Sequence, residues 1–315
     1  MAVRLPHFDT TIPGHSVNFP LYQQPVEIGN FSIDGSRNYC PDPHNLKYLH
    51  LPPSTRNLQL DLNRGFENAI KKDFYNFERL DSIIKWIALN KESVQTRPPN
   101  FVFYRGLMTT LLCTPYEKKE PWCIGATLFR NTIYLCKFPT EYDFRQQERR
   151  TERDERMAFW GLKFEQYLMA GSPTEEPNPE TQLNQNEEYC IVVKTRLNGH
   201  KIVMAAEVDG LEGSSRHPGS TSNYIELKTT RLITTDVQDY NFCKYKLIKW
   251  WSQSFTVGIK RIYAGFRDDE GIVRSLRVYD IKSIPHFSEV IYHVKSHLFE
   301  VFNILHLYIT CHLYI

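Results

Sequence analysis

Two neighbouring strand-like segments between residues 201 and 230, KIVMAAEVDG and SNYIELKTT, place acidic residues on faces that would otherwise be buried. Side chains alternate across a strand, so Glu207 and Asp209 project together, opposite a wholly apolar face. For the same reason, Glu226 and Lys228 project together. Carboxylates on a buried face are costly unless their charges are neutralised, and a divalent cation with oxygen ligands neutralises them. We therefore predict a metal-binding cavity here, with the rest of the chain built around it.

The spacing of these residues suits phosphate chemistry. An acid on one strand followed by Glu-x-Lys on the next would bring carboxylates from adjacent strands to a hard cation. Such a cation stabilises charge on a phosphoryl oxygen and activates a water. Lys228 could then steady the attacking water or a non-bridging oxygen. Glu-x-Lys also occurs on exposed strands as an incidental ion pair, so on these residues alone a solvated face is the alternative.

A third acidic residue comes from the helix predicted over Met157–Met169. Ala158, Gly161 and Glu165 lie on one stripe of this helix. Glycine inside a helix costs about 1 kcal/mol relative to alanine, so we interpret the two small residues as allowing a sheet to approach closely. Glu165 would then reach across to the metal. The alternative is a surface glutamate beside a glycine that packing requires.

Two further residues are candidates for contact with a substrate. Gln253 lies near Lys246 and Lys249 on one stripe of a helix predicted over Phe242–Phe255, where it could hydrogen-bond a phosphate or a water. At least one of the two tryptophans of that helix is expected in the core. Arg105 follows the aromatic strand NFVFY, and its forked donors suit a phosphate. A surface arginine explains it equally well.

Strands and helices mix along the chain without strict alternation, which favours a mixed-sheet α/β or α+β core over a doubly wound parallel sheet. The chain shows no linker between two parts, so we expect a single domain over its full length, residues 1–315. The predicted landmarks are an arm over residues 1–60 that wraps the core, a helix over Leu60–Asn90 that breaks near Asp81, hairpin turns at Arg130-Asn131 and Asn198-Gly199, and a last helix from about Ser288.

Composition constrains the partners only weakly. The net charge of +2 is nearly neutral, so binding of nucleic acid would need a local basic groove. Seven cysteines without a zinc-like spacing indicate reduced thiols in an intracellular protein, and the N-terminus lacks the apolar core of a secretory signal. The apolar-rich run Leu298–Ile315 contains Glu300 and Asn303, so we expect a buried terminal helix or strand rather than a membrane span.

Five motifs, in order along the chain, resemble those of the DXO family of decapping exoribonucleases, which has a PD-(D/E)xK-like core. They are Arg105 in FVFYRGLMTTLLCTPYE, Gly161-Leu-Lys-Phe-Glu165, Glu207-Val-Asp209, Glu226-Leu-Lys228 and Lys249-Trp-Trp-Ser-Gln253. The segment NRGFE is also similar to a short signature near the N-terminus of that family. The resemblance extends over roughly residues 15–295, whereas the C-terminal HLYITCHLYI does not match.

The resemblance implies two packed mixed sheets with flanking helices and a deep active-site pocket. It also implies a divalent metal site for Mg or Mn, with two ions expected. The ligands it implies are Glu165, Asp209, Glu226, the backbone carbonyl of Leu227, and Glu207 as an assisting group that acts through water.

The same resemblance assigns roles in catalysis. Lys228 and Gln253 would lie beside the attacking water, Arg105 would contact an RNA phosphate, and Glu165 would also touch the substrate. The implied activities are removal of incomplete or unusual 5′ caps (unmethylated guanosine, NAD), hydrolysis of 5′-triphosphate ends and 5′-to-3′ degradation in mRNA 5′-end quality control. We expect a monomer that acts on RNA 5′ ends in the nucleus, or alternatively in the cytoplasm, without a membrane.

Two other functions are alternatives. One is a catalytically silent RNA- or protein-binding member of the family, for example a partner of a nuclear 5′-to-3′ exonuclease. The intact set of acidic residues argues against it, because the member group that acts only as a binding protein has lost them. The other is a DNA nuclease of the PD-(D/E)xK type, since nothing in the sequence shows a contact to a 2′-hydroxyl.

Overall fold

The computed structural model describes residues 21–95, 98–114, 116–117 and 119–287. In these ranges the strands are β1 (Val26–Ile33), β2 (Tyr39–Cys40), β3 (Tyr48–Leu49), β4 (Arg56–Asp61), β5 (Phe101–Tyr104), β6 (Cys123–Phe129), β7 (Thr132–Phe138), β8 (Met169–Ala170), β9 (Glu188–Leu197), β10 (His200–Glu207), β11 (Gly210–Leu211), β12 (Tyr224–Arg231), β13 (Arg261–Arg267) and β14 (Ile272–Asp280).

The helices of the same ranges are mostly short. They are α1 (Asp81–Leu89), α2 (Lys91–Gln95), α3 (Arg105–Cys113), α4 (Glu141–Glu148), α5 (Glu152–Leu168), α6 (Asp236–Asn241), α7 (Leu247–Phe255) and α8 (Ile284–Phe287), with a 3₁₀ turn at Phe66–Asn68 and a π-helical turn at Phe242–Lys246 that leads into α7. None of the helices in the described ranges has the length and apolar character needed to cross a bilayer.

The strands form two mixed sheets. The first has the order β2-β1-β9-β10-β5-β7-β6, and β5 runs parallel to both β10 and β7. The second has the order β4-β14-β13-β12-β11-β3-β8, and β12 runs parallel to β13. The mixed α+β fold with two sheets that the sequence and the resemblance predicted is confirmed.

Apolar side chains assemble the two sheets and the helices into layers. Met204 of the first sheet, Ile262 of the second and Trp251 of α7 belong to one buried cluster between the sheets. On the outer face of the first sheet, α1 buries Trp86. On the outer face of the second sheet, α5 buries Phe164. The layers are therefore α1, first sheet, central cluster with α3 and α7, second sheet, and α5.

A glycine of the second sheet, rather than a small residue of α5, lets this helix approach. A Cβ atom at Gly265 of β13 would lie 2.6 Å from the ring of Phe164. A Cβ atom at Gly161 would meet nothing within 4 Å, and Ala158 is exposed. The expectation that Ala158 and Gly161 admit the sheet is therefore wrong, because the face of α5 that meets the sheet carries large aromatic residues.

The helix predicted over Leu60–Asn90 is wrong in its first part. Arg56–Asp61 forms β4, which pairs with β14, and only Asp81–Leu89 is helical, from the position where a break was predicted. Phe66, whose spacing suggested a helix, packs edge to face on Phe159 of α5 at a ring distance of 5.4 Å. Its apolar character serves a tertiary contact rather than a continuous helix.

The described part of the predicted arm, residues 21–60, contributes strands to both sheets. Val26–Ile33 is an internal strand between β2 and β9, because its residues pair on both sides. Both predicted hairpins are confirmed, and Asn131 and Asn198 take positive φ angles of 61° and 48° in their turns. The helix predicted from Ser288 and the C-terminal apolar run lie outside the described residues. The single domain stays a prediction.

Gly265→Ala and Gly161→Ala should change the stability in opposite directions. The new methyl group at Gly265 would overpack against Phe164, and such overpacking costs about 1–3 kcal/mol. The methyl group at Gly161 meets open space and removes the cost of a helical glycine, so the free energy of unfolding should rise by about 0.5–1 kcal/mol. Urea unfolding measures both. Equal stability of the two variants would contradict the packing described for α5.

Candidate active site

The predicted acidic residues meet where the chain crosses from one sheet to the other. Glu207 is the last residue of β10 in the first sheet, and Asp209 lies in the two-residue connection that follows. β11 then pairs with β12 of the second sheet, with Gly210 opposite Ile225. Glu226 is the next residue of β12. We expected the strands that carry the acids to be neighbours in one sheet. They belong instead to two sheets, which this crossover joins.

Glu226 is the most enclosed of these carboxylates, with 1% of its surface exposed. Its Oε1 accepts hydrogen bonds from Nζ of Lys228 and, at 2.6 Å, from Nε2 of Gln253. Its Oε2 accepts one from Nη1 of Arg105 at 3.0 Å. Burial alone would raise the pKa of Glu226, but the charges and hydrogen bonds of Lys228 and Arg105 outweigh burial and lower it. Four of the predicted site residues are thus in direct contact.

The backbone of β12, the strand of Glu226, holds Asp209 in place. Its Oδ2 accepts a hydrogen bond from the N–H of Leu227 at 2.5 Å. Burial, followed by the negative charge of Glu226, raises the pKa of Asp209 to about 6, although Lys228 acts in the opposite direction. The predicted placement of Asp209 beside the Glu226-Leu-Lys228 motif is therefore found in the structure.

Glu165 and Glu207 complete the set of acids. Burial, with the charges of Asp209 and Glu207, raises the pKa of Glu165 well above its usual value. Glu207 lies in a cleft that solvent still reaches, and burial there, with the charges of Glu188 and Asp209, raises its pKa to about 8. Glu165, Glu207 and Asp209, when ionised, therefore carry more negative charge than the neighbouring cations neutralise.

Two pockets meet at Glu207. The first, of about 430 Å³, is lined among others by Lys72, Arg105, Lys137, Glu188 and Gln253. The second, of about 500 Å³, is lined among others by Lys47, Glu165, Glu175, Glu176 and Glu187. Glu207 consequently lies between a pocket whose described lining has as many cations as acids and a pocket rich in acids.

The donor set fits a hard divalent cation. The charges of Asp209 and Glu207 raise the pKa of Glu165, and the charge of Asp209 also raises the pKa of Glu207. A cation would relieve that repulsion. In the described ranges no three His, Cys, Asp or Glu side chains already form a metal cluster, so these carboxylates would have to turn toward one another. Glu226 accepts three hydrogen bonds and has about four lone-pair positions, which leaves room for one ligand bond.

The helix that carries Gln253 also places residues outside the site, and some predicted contacts remain predictions. Lys249 pairs with Glu117 at 3.2 Å and lines a different pocket from Gln253. Trp250 and Trp251 are both buried, as expected for at least one of them. The contact of Arg105 with RNA and the metal contact of the Leu227 carbonyl stay predictions.

Sequence reasoning missed two charged residues that act on the acids. The charge of Lys47 lowers the pKa of Glu165, and the charge of Glu188 raises the pKa of Glu207. Glu188 is itself paired with Arg37 and Lys72, each at 2.8 Å. No motif marks these residues, because their influence depends on how distant segments pair in space.

Comparisons with known proteins find a matching family model and similar sequences. A family model described as RAI1-like PD-(D/E)XK nuclease matches residues 23–298. A Xenopus laevis protein named decapping and exoribonuclease protein is 36% identical over 282 residues, which are 85% of this chain and 70% of that protein.

Solved structures are similar in fold. The structure of Candida albicans Rai1 in complex with pU5-Mn²⁺ has a TM-score of 0.85 at 23% identity, and the match covers 97% of this chain and 86% of that one. Scheffersomyces stipitis Rai1 in complex with (3′-NADP)⁺ and a calcium ion has a TM-score of 0.84 at 24% identity, and the match covers 96% of this chain and 86% of that one. At these identities the likeness concerns the fold.

Glu226→Ala should strongly destabilise the metal-free protein. The substitution leaves the cations of Arg105 and Lys228 without their buried partner, and breaking a buried pair in this way costs about 3–5 kcal/mol. Gln253→Ala is the matched control, because it removes one hydrogen bond to the same carboxylate and should cost about 1 kcal/mol. Urea unfolding in EDTA compares them. Similar losses in the two variants would show that Glu226 does not hold this network together.

Glu165→Gln should stabilise the metal-free protein at high pH. Because the folded-state pKa of Glu165 is raised, its contribution is favourable below the unfolded pKa of about 4.3 and is lost as the pH rises through the folded pKa. The variant should therefore have a higher Tm than the wild type near pH 8, and the difference should shrink toward pH 4. The exposed Glu148→Gln serves as the control in thermal unfolding with EDTA. A pH-independent difference would contradict the raised pKa.

Proposed function

We infer the function from the family, because this chain belongs to the RAI1-like PD-(D/E)XK nucleases and is a hydrolase that acts on RNA. We propose that it removes incomplete or unusual 5′ caps (unmethylated guanosine, NAD), hydrolyses 5′-triphosphate ends and degrades RNA 5′-to-3′ in mRNA 5′-end quality control. The observation that carries the proposal is the convergence of Arg105, Lys228 and Gln253 on Glu226, beside three further acids.

The first pocket is the proposed entrance for RNA. Among the described residues that line it, cations and acids are equal in number, whereas the second pocket has one cation against five acids. The first pocket therefore repels a polyanion less than the second. Nη1 of Arg105 donates a hydrogen bond to Glu226, and the planar guanidinium has further N–H donors for a phosphate oxygen. The 5′ end of the strand would then reach the acids, where the two pockets meet.

Lys228 and Gln253 act at the reacting phosphate in this proposal. Both donate to the same oxygen of Glu226, so one carboxylate orients both side chains. Burial lowers the pKa of Lys228, but the charges of Glu226 and Asp209 outweigh it and raise the pKa, so the amine stays protonated. A protonated amine there can donate to the charge that develops on a phosphoryl oxygen.

Glu165, Asp209 and Glu226 are the proposed holders of a divalent metal, assisted by Glu207 and the Leu227 carbonyl. When bound, Mg or Mn would supply an activated water and charge stabilisation, and we propose two ions. The manganese and calcium complexes of the two fungal relatives support a hard divalent cation. The raised pKa values of the acids mean that protons compete with the metal at low pH.

The setting of the reaction is also part of the proposal. We propose a monomer that works in the nucleus, with the cytoplasm as the alternative, and that can associate with a nuclear 5′-to-3′ exonuclease. The pU5 and (3′-NADP)⁺ complexes of the fungal relatives support an RNA 5′ end or an NAD-type end as the substrate.

Asp209→Asn should abolish hydrolysis while RNA binding survives, since it removes a carboxylate charge and leaves the cations of the first pocket in place. Lys228→Met should lower kcat by about 10²–10³-fold, as expected for loss of one donor to a developing charge. Product analysis with Mg or Mn on RNAs with five different 5′ ends (monophosphate, triphosphate, unmethylated cap, methylated cap, NAD) measures both effects and ranks the substrates.

Lys249→Met is the matched control, because Lys249 lies on the same helix as Gln253 but pairs outside the site. It should keep wild-type turnover. Full activity of Asp209→Asn would refute the site assignment. Wild-type protein that releases nothing from any 5′ end, relative to an EDTA blank, would indicate the silent binding function, and equal cleavage of single-stranded DNA would indicate a DNA nuclease.

A further inference from the structure

A second basic surface lies outside the candidate active site. Lys194 and Arg196 of β9 and Lys201 of β10 line a pocket of about 640 Å³, and we call these three residues the basic patch. The strand pairing places Lys201 directly opposite Arg196, and Lys194 opposite Val203. All three cations therefore project from the same face of the first sheet.

This arrangement is electrostatically unfavourable without an anion. Directly opposed residues of an antiparallel pair have Cβ atoms about 4.5–5.5 Å apart, and like charges in such a pair destabilise it. Among the described residues that line the pocket, Glu92 on α2 is the one carboxylate. Three cations against one acid, in a chain with a net charge of only +2, make this a local anion-attracting surface.

The basic patch and the first pocket lie at opposite ends of one sheet face. On β9, Cys190 lines the first pocket, and Lys194 lies four residues further along the same face. Trp86 of α1 packs over the part of the face between them. On β10, Lys201 is separated from Glu207 by six residues, which corresponds to roughly 20 Å along the strand.

We propose that the basic patch binds the phosphodiester backbone of an RNA strand downstream of the 5′ end that occupies the active site. The inference rests on the proposed function, because a strand whose 5′ end lies near Glu207 must continue outside the first pocket. Gln23 and Ser93 add exposed hydrogen-bonding side chains to the lining of this pocket, and no aromatic residue is among the described residues that line it. Such a surface recognises phosphates rather than bases, so it binds without regard to sequence.

A double variant tests the patch against a control of equal charge. Arg196→Gln/Lys201→Gln removes two positive charges from the patch, and Lys260→Gln/Lys282→Gln removes two from exposed positions elsewhere. Affinity is measured by fluorescence anisotropy in EDTA for 5′-monophosphate RNAs of about 4 and about 20 nucleotides. Arg196→Lys/Lys201→Arg keeps the charge and reports any effect of changing these positions on the fold.

The patch variant should bind the long RNA several-fold more weakly than wild type, and the short RNA equally well. For the long RNA, the negative slope of the logarithm of the association constant against the logarithm of the salt concentration should become shallower by about 1.4. This is about 0.7 for each of the two lost phosphate contacts. The control variant and the charge-conserving variant should retain wild-type values for both RNAs.

An unchanged affinity of the patch variant for the long RNA would overturn the inference, and so would an equal loss for both lengths. Preferential binding of a poly-glutamate peptide, with the long RNA unaffected by the patch, would likewise overturn it in favour of an acidic protein partner. Hydrolysis of the short RNA with Mn is measured separately. If wild-type protein and the patch variant both cleave it, the proposed function stands even where the patch fails.

Discussion

One buried carboxylate links the elements of the active region. Glu226 accepts hydrogen bonds from α3, from its own strand β12 and from α7. The helix α3 follows β5 of the first sheet directly, whereas β12 belongs to the second sheet. A lone charge at this depth would be costly, and its donors offset that cost. The positions of Arg105, Lys228 and Gln253 therefore depend on a common charge rather than being set independently.

The remaining acids have the opposite electrostatic character. Glu226 is neutralised by its partners and has a lowered pKa, whereas Glu165, Glu207 and Asp209 have raised pKa values because burial and the negative charges of nearby carboxylates dominate. A protein that needed only stability would not gather these groups. A hard cation would compensate their excess negative charge. The same cluster of carboxylates therefore destabilises the metal-free site and supplies the ligands for the proposed chemistry.

How much the sequence predicts depends on the distance over which each rule acts. The alternation of side chains correctly placed Glu226 beside Lys228, and Asn-Gly correctly placed a hairpin. Alternation does not say which strands pair, so the separation of β10 and β12 into two sheets was not predicted. Phe66 was assigned to a helix because the spacing of apolar residues does not distinguish a helix face from a contact with Phe159. The influence of Glu188 on Glu207 was not predicted, because it depends on which distant segments pair in space.

The crossover at Asp209 has a mechanical consequence. Only two residues separate the end of β10 in one sheet from the start of β11 in the other, and the acids are distributed on both sides of that junction. Any sliding of one sheet over the other therefore changes the separation of Glu207 and Glu226, with no long loop to absorb it. The central apolar cluster, which packs the two sheets against each other, thus sets the spacing of the acids. A change in that packing would therefore reach the acids even from a position that touches none of them.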